Sequence, residues 1–501
     1  MKKRLTAMLL LIAMLASCGT TTAPEDTASP ESSSDVLSAD TETAVPEETA
    51  EPNGLPDINW EGKKFRVLGF ENNQYSQFST FEIDSEGETG EIVNDAIFRR
   101  NTLIEDTYGV EIEEIRDSTD IKSGNTTLQH LRTTVNAGED LYDLAFASLQ
   151  GIGTMAQEGM FCDMNAVDYI DFTRNWWNQD VNEVLEISDR LFFTNSDFSL
   201  QDKRRTYILV YNKGIVDQHN LGDPFELVKE GKWTLDVMAE WSTAVGKDVN
   251  GNGSVDFDDT FGFGFDSYNG FRTLAFGCGV EVVKNNDGVL ELVLNNEHTV
   301  SAIEKILPFY TQDYIGTTCE AWKGKVDFDI WSVASRLFKE GRSLFIAAFP
   351  HNLSGFSADC VDDYGILPFG KYDEEQEKYY TCADRYGMLF GIPVTTSTPE
   401  FSGFMLEALS HASQTTSLSA YYEVSCKTKY TYDPQSAEML DIVFDGIVFD
   451  PALIYDASGI ASIFNTIAQA GTNNFASLYK QNEKKTQKTL EKLVKTIEEL
   501  D

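Results

Sequence analysis

An α/β fold of more than one domain is the class this sequence predicts, and three observations predict it. Strand-like runs alternate with helical periodicities from Lys64 to beyond Met155, the order that builds a doubly wound parallel sheet. The chain has 501 residues, too many for one hydrophobic core. Hydrophobic residues make up 42% and aromatics 12% of it, which excludes wholesale disorder.

Taken from the N-terminus, the chain opens on an export signal. Lys2, Lys3 and Arg4 form a positive start, and Leu5 to Ala16 is a largely apolar run, too short for a comfortable membrane span. The small residues Ala16 and Ser17 directly before Cys18 resemble the lipobox of bacterial lipoproteins. That resemblance implies that residues 1–17 are a signal peptide and that Cys18 is lipidated as the first residue of the mature chain. An ordinary signal peptide with a chance cysteine is the bland alternative. Residues 18–58 then form a linker. Gly19 to Leu55 carries nine Asp/Glu and no Lys/Arg, so it is expected to be a self-repelling, extended tether. No later apolar run reaches the length of a span, so membrane attachment is expected through lipid alone.

The folded part starts near Trp60. KFRVLGF from Lys64 reads as a buried strand, and EIVNDAIFRRNTLIEDTY as a helix with Ile92, Ala96, Ile97, Leu103 and Ile104 near helical spacing. VEIEEI alternates as a second strand, TTLQHLRTTVNAG is a helix stopping at Gly138, and LYDLAFAS is a third strand with a helix after it across Met155. The pattern then changes. LFFTNSDFS and RRTYILVYNKGIVDQHNL are β-rich, the second leading into a helix. GKWTLDVMAEWSTAVG is a helix capped by Thr234, with Leu235, Met238, Trp241 and Val245 on one face. DGVLELVLNNEHTVSAIEKILPFYTQD gives a hairpin and a helix, and SVASRLFKEGRSLFIAAF a helix, a stop at Gly341 and a buried strand. Further strands precede a helix in RYGMLFGIPVTTSTPEFSGFMLEALSHAS, and the tail is an amphipathic helix.

Charge and motifs exclude several functions. The net charge of −42 repels phosphate backbones, so nucleic-acid binding is not expected. The sequence has no G-x-S-x-G elbow, no Walker A, no H-E-x-x-H and no C-x-x-C; GFGF at Gly262 lacks the lysine of a phosphate loop. No catalytic residue is nominated. Cys162, Cys278, Cys319, Cys360, Cys382 and Cys426 are even in number but widely spaced, so free thiols and disulfides stay equally open.

One loop carries metal-ligand spacing. In DVNGNGSVDFDD, Asp248, Asn250 and Asn252 take the first, third and fifth positions of an EF-hand loop. Gly253 makes the turn, Ser254 offers its carbonyl, and Asp256 and Asp259 take the ninth and twelfth positions. Aspartate rather than glutamate at the twelfth position argues for modest affinity. With one loop and no following amphipathic helix, Ca2+ here is expected to be structural, pinning the connection after the Trp241 helix. A solvated acidic turn that binds nothing is the alternative.

The segment YNKGIVDQHNLGDPFELVKEGKWTLDVMAEWSTAV resembles the midsection of bacterial extracellular solute-binding proteins, the sugar-type receptors of ABC importers. FKEGRSLFIAAF, YGILPFGKYDEEQEKYY and YYEVSCKTKYTYDPQSAEMLDIVFDGIVFDPALIY look like further segments of that family, in the same order. The resemblance implies a two-lobed periplasmic-binding-protein-like fold (type II) with the ligand in a cleft between lobes. Residues 60–205 and 384–430 would form lobe 1, residues 206–383 lobe 2, and residues 431–501 a helical part packing across both. It implies a monomeric, non-enzymatic receptor at the outer face of the cytoplasmic membrane, passing a carbohydrate to ABC permease subunits. A peptide or other polar solute is the variant within that class.

Ligands of open α/β folds sit at the C-terminal ends of strands. That rule nominates Asn73 and Tyr75 after the first strand and Gln150 after the third. Sugar sites pair flat rings with polar groups, which adds Trp176, Trp177, Asp197, Trp331, Phe349, Asp384, Arg385 and Tyr386. For any one tryptophan, core packing competes with ligand contact; Trp233 and Trp241 belong to the core. The rival functions are a secreted glycoside hydrolase with paired carboxylates and an adhesive surface protein.

Overall fold

Two runs of extended sequence with both faces apolar give two separate sheets. A computed structural model describes residues 53–71, 79–118, 126–429, 431, 433–455 and 458–500. Cys18, Asn73 and Tyr75, and the signal peptide and most of the linker, lie outside the described residues. The first sheet contains β1 (Lys63–Glu71), β2 (Val110–Ser118) and β3 (Leu144–Ser148). The chain then lays down a second sheet from β4 (Ile208–Asn212), β5 (Phe261–Phe265), β6 (Gly316–Thr318), β7 (Ser343–Ala348) and β8 (Tyr364–Leu367). It returns to the first sheet with β9 (Met388–Gly391).

The first sheet has the order β9-β3-β1-β2, with β1 parallel to β2 and β3, and β9 antiparallel to β3. Its alternation shows on both faces. Leu144, Phe146, Met388 and Phe390 join one core, while Ala145, Ala147 and Leu389 join another on the opposite face. The second sheet has the order β8-β4-β7-β5-β6, with β7, β5 and β6 mutually parallel. Along β4, Leu209 and Tyr211 face the larger core with Trp233 and Trp241, and Ile208 and Val210 face the other. Sheets covered on both faces read as near-continuous apolar runs, which is how these strands appear in the sequence.

Helices cover the faces as their caps predict. Thr234 accepts the backbone N–H of Val237 to start Leu235–Val245, whose Leu235, Met238, Trp241 and Val245 are buried. This helix presses on β5 at Gly262, where an added Cβ would lie 2.5 Å from the Cα of Ser242. That close approach explains a glycine inside a strand and identifies FGFGF as β5 rather than a loop. LFFTNSDFS is corrected to irregular chain with isolated bridges at Thr194 and Ser196, since it crosses the sheet edge instead of joining a ladder. In the first helix, Ile92–Tyr108, Leu103 is exposed and Arg100 buried, because the apolar stripe runs through Val93, Ile97 and Ile104. Arg100 is tolerated there because its guanidinium donates to the carbonyls of Glu82 and Ile83 at 2.7 and 3.0 Å.

The C-terminal helix Phe475–Glu498 straddles both halves: Phe475, Tyr479 and Leu490 pack with the second-sheet core, Leu493 and Ile497 with the first. The six described cysteines are free thiols. Among the described residues, no helix is long and apolar enough to cross a membrane.

One buried carboxylate organises the first half. Glu407, on the helix Pro399–Thr415, accepts the indole N–H of Trp176 at 2.7 Å, that of Trp177 at 2.8 Å and the backbone N–H of Asp171 at 2.7 Å. Burial raises its pKa, and these donors act to lower it. Glu407→Leu keeps the volume and strands three donors, so urea unfolding followed by tryptophan fluorescence is expected to show a loss of about 3–5 kcal/mol. A loss below about 1 kcal/mol would contradict this role.

Candidate functional site

The segments joining the two sheets run side by side. Residues 205–207 lead out of the first half and residues 381–384 lead back. Tyr207 N–H donates to the Cys382 carbonyl at 3.1 Å, Asp384 N–H to the Arg205 carbonyl at 2.8 Å, and the Thr381 hydroxyl to the Tyr207 carbonyl at 2.7 Å. Ile447–Val448 pairs with Thr381–Cys382 in parallel, adding a third crossing strand. At this ribbon the buried Arg205 guanidinium bonds the buried Asp384 carboxylate. Charge pairing in so dry a place requires close, directional contact, which a guanidinium supplies.

A cavity of about 440 Å³ opens beside the ribbon. Arg205 and Asp384 form its floor, with Tyr207, Phe349 and His351 along one wall. The rings form a sequence of contacts: Arg205 lies 4.7 Å over Phe349, Phe349 is 4.4 Å from Tyr207, and His351 stacks on Phe349 at 5.3 Å and 10°. Burial, with Arg205 and Arg204 nearby, lowers His351 to about 3, so the ring is neutral at physiological pH. At the opening stand Trp331, 58% exposed, and Tyr386. Arg385 bridges to Tyr386, its Nη2 donating to the phenol oxygen at 2.9 Å.

The strand directions explain this collection. β5, β6 and β7 are parallel, so their C-terminal ends share one edge of the sheet. Asp266 directly follows β5, Glu320 follows β6 by two residues, and Phe349 directly follows β7. The edge rule that nominated Gln150 therefore applies to Asp266 as well, which the sequence did not single out because FGFGF was not taken as a strand. Asp266 Oδ1 is buried without a hydrogen-bond partner. Burial first, then the carboxylates of Asp384 and Glu320, raise Asp266 to about 6. Arg205 and His351 carried no sequence signal, because their neighbours are distant in the chain.

Of the nominated ligand residues, the structure brings Trp331, Phe349, Asp384, Arg385 and Tyr386 together around this cavity. Gln150 is exposed nearby, its backbone N–H donating to the Arg385 carbonyl at 3.2 Å. Trp176 and Trp177 are corrected to core residues, 1% and 2% exposed, with their indole N–H groups consumed by Glu407. Asp197 is also corrected. It is partly buried away from the cavity, accepts from Gln414 Nε2 at 2.9 Å, and is raised to about 6, chiefly by burial.

The acidic loop lies elsewhere, between Leu235–Val245 and β5. Asp248 accepts the N–H groups of Gly251 and Gly253, and Asp259 those of Val249 and Asp256. Asn250 and Asn252 each donate an amide N–H to Asp256, at 3.0 and 2.6 Å. Gly253 takes a φ of +75°, the left-handed turn that position requires. Among the described residues, no group of three acidic, histidine or cysteine side chains is gathered to hold a metal ion. The loop's donors are nonetheless all oxygens: three carboxylates, two amide carbonyls and the Ser254 carbonyl. That chemistry fits a hard cation, which would replace the amide contacts to Asp256. Behind the loop, Phe257 packs edge-on against Trp322 and Phe328, in the cluster that includes Ile330 beside Trp331.

No family model matches this sequence, and no curated protein matches it. Solved structures do match in three dimensions. A substrate-binding protein of an ABC transporter from Listeria monocytogenes, in complex with cycloalternan, aligns with a TM-score of 0.52 and 13% identity, over 87% of this chain and 99% of that one. The galacto-N-biose/lacto-N-biose I-binding protein of a Bifidobacterium longum ABC transporter, in complex with lacto-N-biose, aligns at 0.55 and 11%, over 87% and 98%. UgpB from Mycobacterium tuberculosis, in complex with glycerophosphocholine, aligns at 0.55 and 15%, over 86% and 99%. The chain therefore has the two-lobed α/β fold of these binding proteins.

Arg205 and Asp384 allow a direct check on the crossing ribbon. Arg205→Met and Asp384→Leu are each expected to cost about 3–5 kcal/mol, because each leaves the other charge buried alone. The double variant is expected to cost clearly less than the sum, measured by urea unfolding. Additive losses would show that the two groups are not coupled.

Proposed function

We propose that this protein is the non-enzymatic, extracellular receptor of an ABC importer, which captures a carbohydrate, most simply an oligosaccharide, in the interlobe cavity and delivers it to permease subunits. The observation that carries this reading is the cavity at the crossing ribbon, where aromatic faces and an unfilled carboxylate converge in a fold shared with carbohydrate-holding proteins. Sugars offer C–H faces to rings and hydroxyl edges to acceptors. Phe349, Tyr207 and the exposed Trp331 supply faces; Asp266, Asn269 and Asn352 supply polar partners. Arg205, Tyr207 and Asp384 belong both to the crossing ribbon and to the cavity lining, so a rotation of the halves about the ribbon would open or close it. A ligand touching both halves favours the closed arrangement by its differential contacts.

Cys18 is read as the lipid anchor and residues 18–58 as the tether, holding a monomer at the outer face of the cytoplasmic membrane. Asp248, Asn250, Asn252, Ser254, Asp256 and Asp259 are read as a structural Ca2+ site. Through Phe257 and Phe328 that site supports the turn that carries Trp331. A hydrolase is the second reading, and Asp384 counts against it, since its charge is already matched by Arg205.

Three measurements test this. A thermal-shift screen over mono- and oligosaccharides is expected to find a sugar that raises Tm and is recovered unchanged; at a ligand concentration of about 100 Kd the stabilisation is about 2.7 kcal/mol. Recovery of shortened products would establish the hydrolase instead. Trp331→Ala is expected to weaken that sugar about tenfold while leaving the unliganded Tm in place, because the ring is exposed. Chelator is expected to lower Tm in the parent chain and not in Asp248→Ala; equal melting in all four samples would remove calcium from the account.

A further inference from the structure

The charges around Asp266 are unequal. Arg205 is engaged by Asp384, and Arg385 lies over the ring of its own neighbour Tyr386 at 4.8 Å. His351 is neutral. Arg204 acts on His351 and Arg272 on Tyr207, so the imbalance is local: the charges acting on Asp266 are the carboxylates of Asp384 and Glu320 and the single cation Arg205. Glu320 Oε2 is itself buried without a hydrogen-bond partner. Two carboxylate oxygens on the shared edge of β5 and β6 are therefore unfilled, and the nearest cation already has a partner.

Burying a carboxylate without a partner is costly, and a second carboxylate nearby adds to the cost. A neutral sugar offers Asp266 a hydroxyl donor and leaves the excess charge in place. A protonated amine supplies donors and cancels the charge, and the exposed ring of Trp331 favours a cation as well. We propose that the ligand of this site is a carbohydrate bearing a free amino group, with the ammonium seated on Asp266 and Glu320 behind it. This inference rests on the carbohydrate-receptor reading above and specifies its substrate class.

The pH response follows from the groups that face Asp266. These are Asp384 and Arg205 from the ribbon, Glu320 from the turn after β6, and the phenols of Tyr207 and Tyr310, with Arg272 acting on the same Tyr207. With Asp266 at about 6, the amine needs it ionised, so affinity falls as pH drops through that value. Affinity also falls at higher pH as the amine loses its own proton. The profile is a bell for amino sugars and lacks the upper limb for neutral ones.

The test is calorimetric titration of the full chain with matched sets of neutral, free-amino and N-acetylated sugars, glucose and galactose types, as monomers and short oligomers. Near neutral pH, the free-amino member is expected to bind about tenfold more tightly than its neutral and N-acetylated counterparts. Asp266→Asn is expected to remove that preference, with an unliganded Tm close to that of the parent. Glu320→Gln, a second variant less exposed to folding effects, is expected to reduce it partly. Equal or tighter binding of the neutral or N-acetylated member, or a preference that survives in folded Asp266→Asn, overturns the amine inference and leaves the receptor reading standing. Binding of no sugar in any set overturns both.

Discussion

The structure depends on how three extended segments cross between two independently buried sheets. A crossing strand leaves both sheets, so its backbone polar groups must find partners elsewhere or lose free energy. Here the segments at Tyr207, Cys382 and Val448 satisfy one another as a short ribbon. The Arg205–Asp384 pair ties the outgoing and returning segments at the same level. The cavity opens beside this ribbon, lined by Arg205, Tyr207 and Asp384 from it, while the C-terminal helix packs on the cores of both halves.

The cavity inherits its chemistry from the sheets it separates. Parallel strands β5, β6 and β7 send their C-terminal ends to one edge, so the residue following each strand is delivered to the same place. Phe349 and Asp266 arrive in this way, and Glu320 stands just behind. The ribbon supplies Arg205, Asp384 and Tyr207, and the turn before β9 supplies Arg385 and Tyr386. The residues that set the floor, Arg205 and Asp384, are also ones that join the halves. The acidic loop is separate from this edge but touches it through the Phe257, Trp322 and Phe328 rings beneath the Trp331 turn.

Most regular elements were readable from local pattern. The strand at Phe65–Phe70, the Thr234-capped helix and the Gly341 stop each follow from residues within one or two turns of one another. β5 was missed because glycine lowers strand propensity, and the reason for glycine there is Ser242, on a different element. The site was readable only in part. Trp331, Phe349 and the Asp384–Tyr386 turn follow strand edges or stand in exposed turns. Trp176 and Trp177 carry the same composition signal, yet Glu407, some 230 residues away, takes both indoles into the core.

By itself the sequence determined most of the strands and helices, such as Leu235–Val245 with its Thr234 cap, and the apolar face each presents. It also set the left-handed turns of the acidic loop. Those depend on neighbours within a few residues, whose energetics the chain carries with it everywhere. Only the tertiary structure decided which polar and aromatic side chains face the cleft. Arg205 meets Asp384 across 179 positions of sequence, and Asp266 Oδ1 stays without a hydrogen-bond partner because of what the fold sets beside it. Burial in a core and contact with a ligand ask for the same residue types. The difference lies in whether the space in front of a side chain is filled by the chain, and only the assembled sheets settle that.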